Sequence, residues 1–157
     1  MRLRGLCIRI DKRGISARYI TYELYGEGKT LPHLSLEISD NIAARIDVQE
    51  LCVRLHEVMV KSGVFPLGGI RVRAHLVSNY VIADAETENG FIDMVLRMGA
   101  GRSLADRKMA GQQIFDAATA YLAPLFQKPH FALSFEIRDI DPELSWKKNS
   151  IHARLGH

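Results

Sequence analysis

Pro32-His33-Leu34-Ser35-Leu36-Glu37-Ile38-Ser39 is the stretch that decides the fold. Leu34, Leu36 and Ile38 fall on one face of an extended chain, while Ser35 and Glu37 fall on the other. That alternation is the mark of a half-buried strand. Downstream, Asp47-Val48-Gln49-Glu50 has the form of a capping box. Val48, Leu51, Cys52, Leu55, Val58 and Met59 then recur at helical spacing, with Gln49, Arg54 and Glu57 facing away. Gly63 suits the helix C-terminus and Pro66 closes the exit. A second strand starts near Ile70, with Ile70, Val72, Ala74 and Leu76 on one face and Arg71, Arg73 and His75 on the other.

The next half repeats the plan. Phe91 to Met98 reads as a strand, and Gly99-Ala100-Gly101-Arg102 as a tight connection. Ser103, with Asp106 three residues on, opens a helix whose apolar stripe runs through Ala110, Ile114, Ala117, Ala118, Tyr121 and Leu125. After Pro129, Phe131, Leu133, Phe135 and Ile137 alternate in a last strand. A helix joining two strands implies parallel pairing within each unit. The expected fold is therefore α/β (α+β): tandem β-α-β units forming a four-stranded mixed sheet, with two helices on one face. The other face would be left partly apolar, so oligomerisation is expected to cover it.

Residues 1–31 differ in character. They hold seven Lys/Arg against three Asp/Glu, leaving fourteen basic and fifteen acidic residues for 32–157. The basic excess of the whole chain, +3, thus sits in the leading segment, and the body has no polyanion-binding composition. Leu3 to Ile10 and Ile15 to Tyr25 alternate about Asp11-Lys12-Arg13-Gly14, as in a β-hairpin. Three readings stand for 1–31: an added hairpin, a leader that is removed, or a start placed too early. In the last, Leu31 occupies the place of an initiator residue before Pro32.

Other classes find little support. Arg4, Arg9, Asp11, Lys12 and Arg13 interrupt any secretory apolar core, and no apolar run is long enough to span a bilayer. Cys7 and Cys52 make neither a disulfide framework nor a metal quartet, which points to a reducing cytoplasm. The six histidines form no i, i+4 metal pair. Gly99-Ala100-Gly101 lacks the third glycine of a dinucleotide loop, since Leu104 stands there, and it lacks the Gly-Lys-Ser/Thr of a P-loop. Trp146 and Phe135 suit core packing better than pocket walls. His33 is an ordinary strand position with a possible second role beside Pro32.

PHLSLEIS (32–39), GVFPLGGIRVRAH (63–75), MGAGRSLADRKMAG (98–111), ALSFEI (132–137) and KKNSIHA (147–153) together resemble the 5-carboxymethyl-2-hydroxymuconate isomerase family of the tautomerase superfamily. The resemblance covers 32–157 and none of 1–31. It implies a homotrimeric, cofactor-free isomerase of bacterial homoprotocatechuate breakdown, acting on an unsaturated hydroxy polycarboxylic acid, with no metal. It implies Pro32 as the catalytic base, through a free amino-terminal nitrogen. Arg71 and Arg102 match the arginines that bind carboxylate and developing oxyanion, and Arg73 shares the face of Arg71 as a further substrate-binding candidate. This chain departs from the family pattern in placing Leu31 before the proline, whose nitrogen is then an amide without a basic lone pair.

Overall fold

The computed structural model describes residues 6–11, 14–19 and 31–155 of the protein. β1 (Leu6–Asp11) and β2 (Gly14–Tyr19) pair antiparallel, with Ile10 opposite Ile15. The remainder of the two leading alternating stretches lies outside the described residues.

β3 (His33–Ser39) is followed by a short helix, α1 (Asp40–Ala43), where the sequence suggests only a turn. α2 (Val48–Lys61) begins as its capping box predicts: the Asp47 side chain accepts from Glu50 N at 2.9 Å. Gly63, at φ +67°, ends it in the left-handed region that glycine tolerates best. A 3₁₀ turn over Leu67–Gly69 leads into β4 (Arg71–Val77). β5 (Gly90–Gly99) then precedes α3 (Leu104–Tyr121), capped by Ser103, whose hydroxyl accepts from Asp106 N at 3.0 Å. A second 3₁₀ segment, Ala123–Gln127, leads to β6 (Phe131–Ile140), and α4 (Ile151–Arg154) lies in the tail, where the sequence shows no strong period.

The sheet order is β4-β3-β5-β6. Each unit is parallel, β3 with β4 and β5 with β6, and the two units meet through the antiparallel pair β3–β5. Leu34, Leu36, Ile38, Ile92, Met94, Leu96 and Met98 are fully buried, and so are Leu51, Leu55 and Met59 of α2 and Ala110, Ile114 and Ala118 of α3. Small residues on α3 let it lie close to the sheet. Tyr121 Oη donates to Asp47 O at 2.9 Å, tying the end of α3 to the start of α2. No described helix is long and apolar enough to cross a membrane.

The opposite face of the sheet is partly apolar, as expected, and partly charged. Register places Arg71, His33, Arg97 and Arg138 in one row across the four strands, then Arg73, Ser35, Val95 and Glu136, then His75, Glu37, Asp93 and Ser134. Its apolar share comprises Val77, Phe91, Val95, Ala132 and Ile140. Trp146 is not in the core: it is 86% exposed, beside Leu144 at 71%. Phe135 is half-buried on the helix side.

Candidate active site

β3 runs antiparallel to β5 and parallel to β4, so the start of β3, the start of β4 and the end of β5 share one end of the sheet. Pro32 is buried there, and its carbonyl accepts from Arg71 N at 3.1 Å. The chain passes so close to the 3₁₀ turn that a Cβ on Gly69 would sit 3.1 Å from Pro32 Cδ and 2.9 Å from Leu31 Cδ2. The turn thus fixes the proline ring from one side.

Arg71 is the first residue of β4 and faces the open side of the sheet. Its Nη1 lies 3.0 Å from His33 Nε2 and donates to Gly69 O at 3.4 Å. A guanidinium can only donate, so His33 Nε2 accepts; its ring is neutral and carries its hydrogen on Nδ1. Burial lowers the His33 pKa, and Arg71, Arg73, Arg97 and Lys147 push it further down. Arg73 is half-buried on the same face, one row along, and pairs with Ser35.

Arg102 is held differently. Its Nε donates to Val64 O at 3.2 Å and its Nη1 to Gly99 O at 3.0 Å, while its guanidinium carbon lies 5.6 Å from the centre of the Phe65 ring. Burial lowers its pKa from the ordinary arginine value. Arg102 Nη2 is buried and has no hydrogen-bond partner among the described residues. A buried donor left unpaired is costly, and an anionic oxygen is the partner that suits a guanidinium best. The side chain turns back to the end of β5 rather than lying along the start of α3.

The tail closes over the same end. Asn149 Nδ2 donates to Gly68 O at 3.0 Å, and Asn149 Oδ1 accepts from Ile151 N at 2.9 Å, capping α4. A Cβ on Gly68 would come within 2.7 Å of His152 Nδ1. The elements of this site match a known pattern over most of the chain: the family model for 5-carboxymethyl-2-hydroxymuconate isomerase aligns with residues 32–155. This chain belongs to that family.

Its relatives bear the same description. A 5-carboxymethyl-2-hydroxymuconate Delta-isomerase of Escherichia coli is 38% identical over 123 residues, covering 78% of this chain and 98% of the relative. A crystal structure of a 5-carboxymethyl-2-hydroxymuconate isomerase from Deinococcus radiodurans R1 matches with a TM-score of 0.77 and 37% identity, over 82% of this chain and 97% of that one. A crystal structure of a 5-carboxymethyl-2-hydroxymuconate delta-isomerase matches with a TM-score of 0.75 and 34% identity, over 82% and 95% of the two chains.

Pro32, Arg71 and Arg73, singled out in the sequence for this family, thus lie at one end of the sheet, and Arg102 is anchored to the end of the adjoining strand. Nothing in the sequence assigned a role to Arg97, Lys147 or Asn149. Only the KKNSIHA block hinted that the tail mattered. Burial raises the Cys52 thiol pKa, which keeps it protonated and makes it a poor nucleophile.

Proposed function

We propose that the protein is a cofactor-independent isomerase that moves a proton between the 2-hydroxydiene and 2-oxo forms of a hydroxymuconate-type polycarboxylic acid, with 5-carboxymethyl-2-hydroxymuconate as substrate. The observation that carries this is the buried Nη2 of Arg102, which has no hydrogen-bond partner among the described residues and is tied to the end of β5 beside the strand end that Pro32 opens. In the working protein Pro32 has a free ring nitrogen. That amine takes the hydroxyl proton, the electron pair moves along the diene, and the proton returns to a carbon further along. One O–H bond breaks and one C–H bond forms, with no change in composition.

The base must titrate near working pH. A free α-amino group does so at about 7.7–8.0, and burial with Arg71 nearby lowers that value, leaving the amine largely neutral at pH 7. Arg102 meets the developing oxyanion or a carboxylate through Nη2, while Arg71 and Arg73 hold carboxylate from the open face. Subunits assemble as a homotrimer in the cytoplasm; Leu76, Val81, Leu144 and Trp146 are each more than 60% exposed and supply apolar surface for it. Turnover of 5-carboxymethyl-2-hydroxymuconate, set against phenylenolpyruvate, tests the reaction and its substrate. Faster turnover of the simple enol acid would assign another tautomerase reaction.

One observation favours a second reading. In the full chain the Leu31–Pro32 bond is an amide packed against Gly69, and a protein that keeps it is a binding scaffold with its base masked.

A further inference from the structure

The first row of the open sheet face carries an arginine in three of the four strands, Arg71, Arg97 and Arg138, with His33 in the fourth. Arg138 pairs with Glu136 on its own strand, but Arg71, Arg73, Arg97 and Lys147 have no carboxylate within salt-bridge distance among the described residues. Like charges set side by side across a sheet disfavour folding. Of the acidic residues of this face, Glu136 lies in the second row and is paired with Arg138, and Glu37 and Asp93 lie in the third, so none pairs with Arg71 or Arg97. The neutral His33 ring separates Arg71 from Arg97, which sit two strand spacings apart, about 10 Å. Two guanidiniums so spaced suit carboxylates at opposite ends of a short chain rather than one small anion.

We propose that Arg97, together with Lys147 of the tail, forms a second carboxylate subsite on the open face, and that it selects substrates carrying a carboxylate remote from the reacting end. This rests on the isomerase reading above and adds to it the residues that tell a polycarboxylate from a monocarboxylic enol acid. Arg71 and Arg102 serve the carboxylate and oxygen near the transferred proton; Arg97 serves the far carboxylate. Arg97 is exposed, so its replacement leaves the core untouched.

The test is Arg97→Gln in the full protein as it is natively expressed, read in two ways. The ratio of kcat/KM on 5-carboxymethyl-2-hydroxymuconate to that on phenylenolpyruvate should fall about tenfold, the loss expected for one charge-assisted hydrogen bond. Calorimetric affinity for propane-1,2,3-tricarboxylate should weaken by a similar factor, and Lys147→Gln should move both in the same direction. Arg54→Gln, a surface cation on α2 paired with Glu50, should change neither. An unchanged ratio and unchanged tricarboxylate affinity in Arg97→Gln overturn the subsite. If the wild type turns over neither acid, the isomerase reading fails by itself, and calorimetry alone decides whether Arg97 binds carboxylate.

Discussion

Arg71 donates from Nη1 to His33 Nε2 across 3.0 Å, fixing the imidazole as the neutral ring among four cations. His33 faces Arg71 and Arg73 from β4, Arg97 from β5 and Lys147 from the tail, and none of these favours its protonation. Its folded-state pKa is therefore below the unfolded value near 6.5. Linkage gives the sign: the stability this supplies is complete above about pH 6.5 and is lost as pH falls below it, where the unfolded chain takes up the proton first. Denaturant melts at pH 7 and pH 5.5 should show this slope in the wild type, and His33→Asn should flatten it. An equal slope in the variant would assign the effect elsewhere.

Arg102 donates to two backbone carbonyls and keeps Nη2 without a partner among the described residues, and its variants should separate the roles. Arg102→Ala should lower kcat/KM by about 10²–10³, the usual loss for one oxyanion donor. It should also lower stability by about 1–3 kcal/mol, because Val64 O and Gly99 O lose their partner. Arg102→Lys should recover little activity, since an ammonium cannot hold both carbonyls and still present a planar donor. Full recovery by lysine would show that only charge is required.

Gly69→Ala should act on Pro32 rather than on the core. The new methyl meets Leu31 Cδ2 at 2.9 Å, Pro32 Cδ at 3.1 Å and Leu31 Cα at 3.3 Å, the last two being a ring atom and a backbone atom. A loss of about 1–3 kcal/mol in denaturant stability is expected for such overpacking. A protein beginning at Pro32 should lose less, because the Leu31 contacts go with the leading segment. Melting curves of the variant with and without residues 1–31 measure the difference.

The single tryptophan, Trp146, is a probe for the proposed assembly. In the proposed trimer its indole, 86% exposed on one subunit, should be partly covered and its emission shifted to the blue. Trp146→Glu should lower the sedimenting mass toward one subunit. A monomeric wild type with red-shifted emission at assay concentration would contradict trimer formation.

Much of the fold was legible because its signals are local. Strand parity in Leu34-Leu36-Ile38, the caps at Asp47 and Ser103, and the stripe Leu51-Leu55-Met59 each depend on neighbours a few residues away. The row Arg71–His33–Arg97 was hidden, because it depends on how β5 aligns with β3, and no short window of sequence fixes that register. Arg102 was chosen through the family pattern, and its geometry could not be foreseen: its bonds run to Val64 and Gly99, residues brought together only by packing. α4 escaped notice because it is one turn long, capped by Asn149 and laid on Gly68.

Whether the Pro32 nitrogen is a free amine can be read directly by intact mass and amino-terminal sequencing of the natively expressed, active protein. A chain beginning at Pro32, with turnover abolished by acylating that terminus, is the predicted result. A fully active chain in which Leu31 is still joined to Pro32 would contradict proline catalysis in this protein.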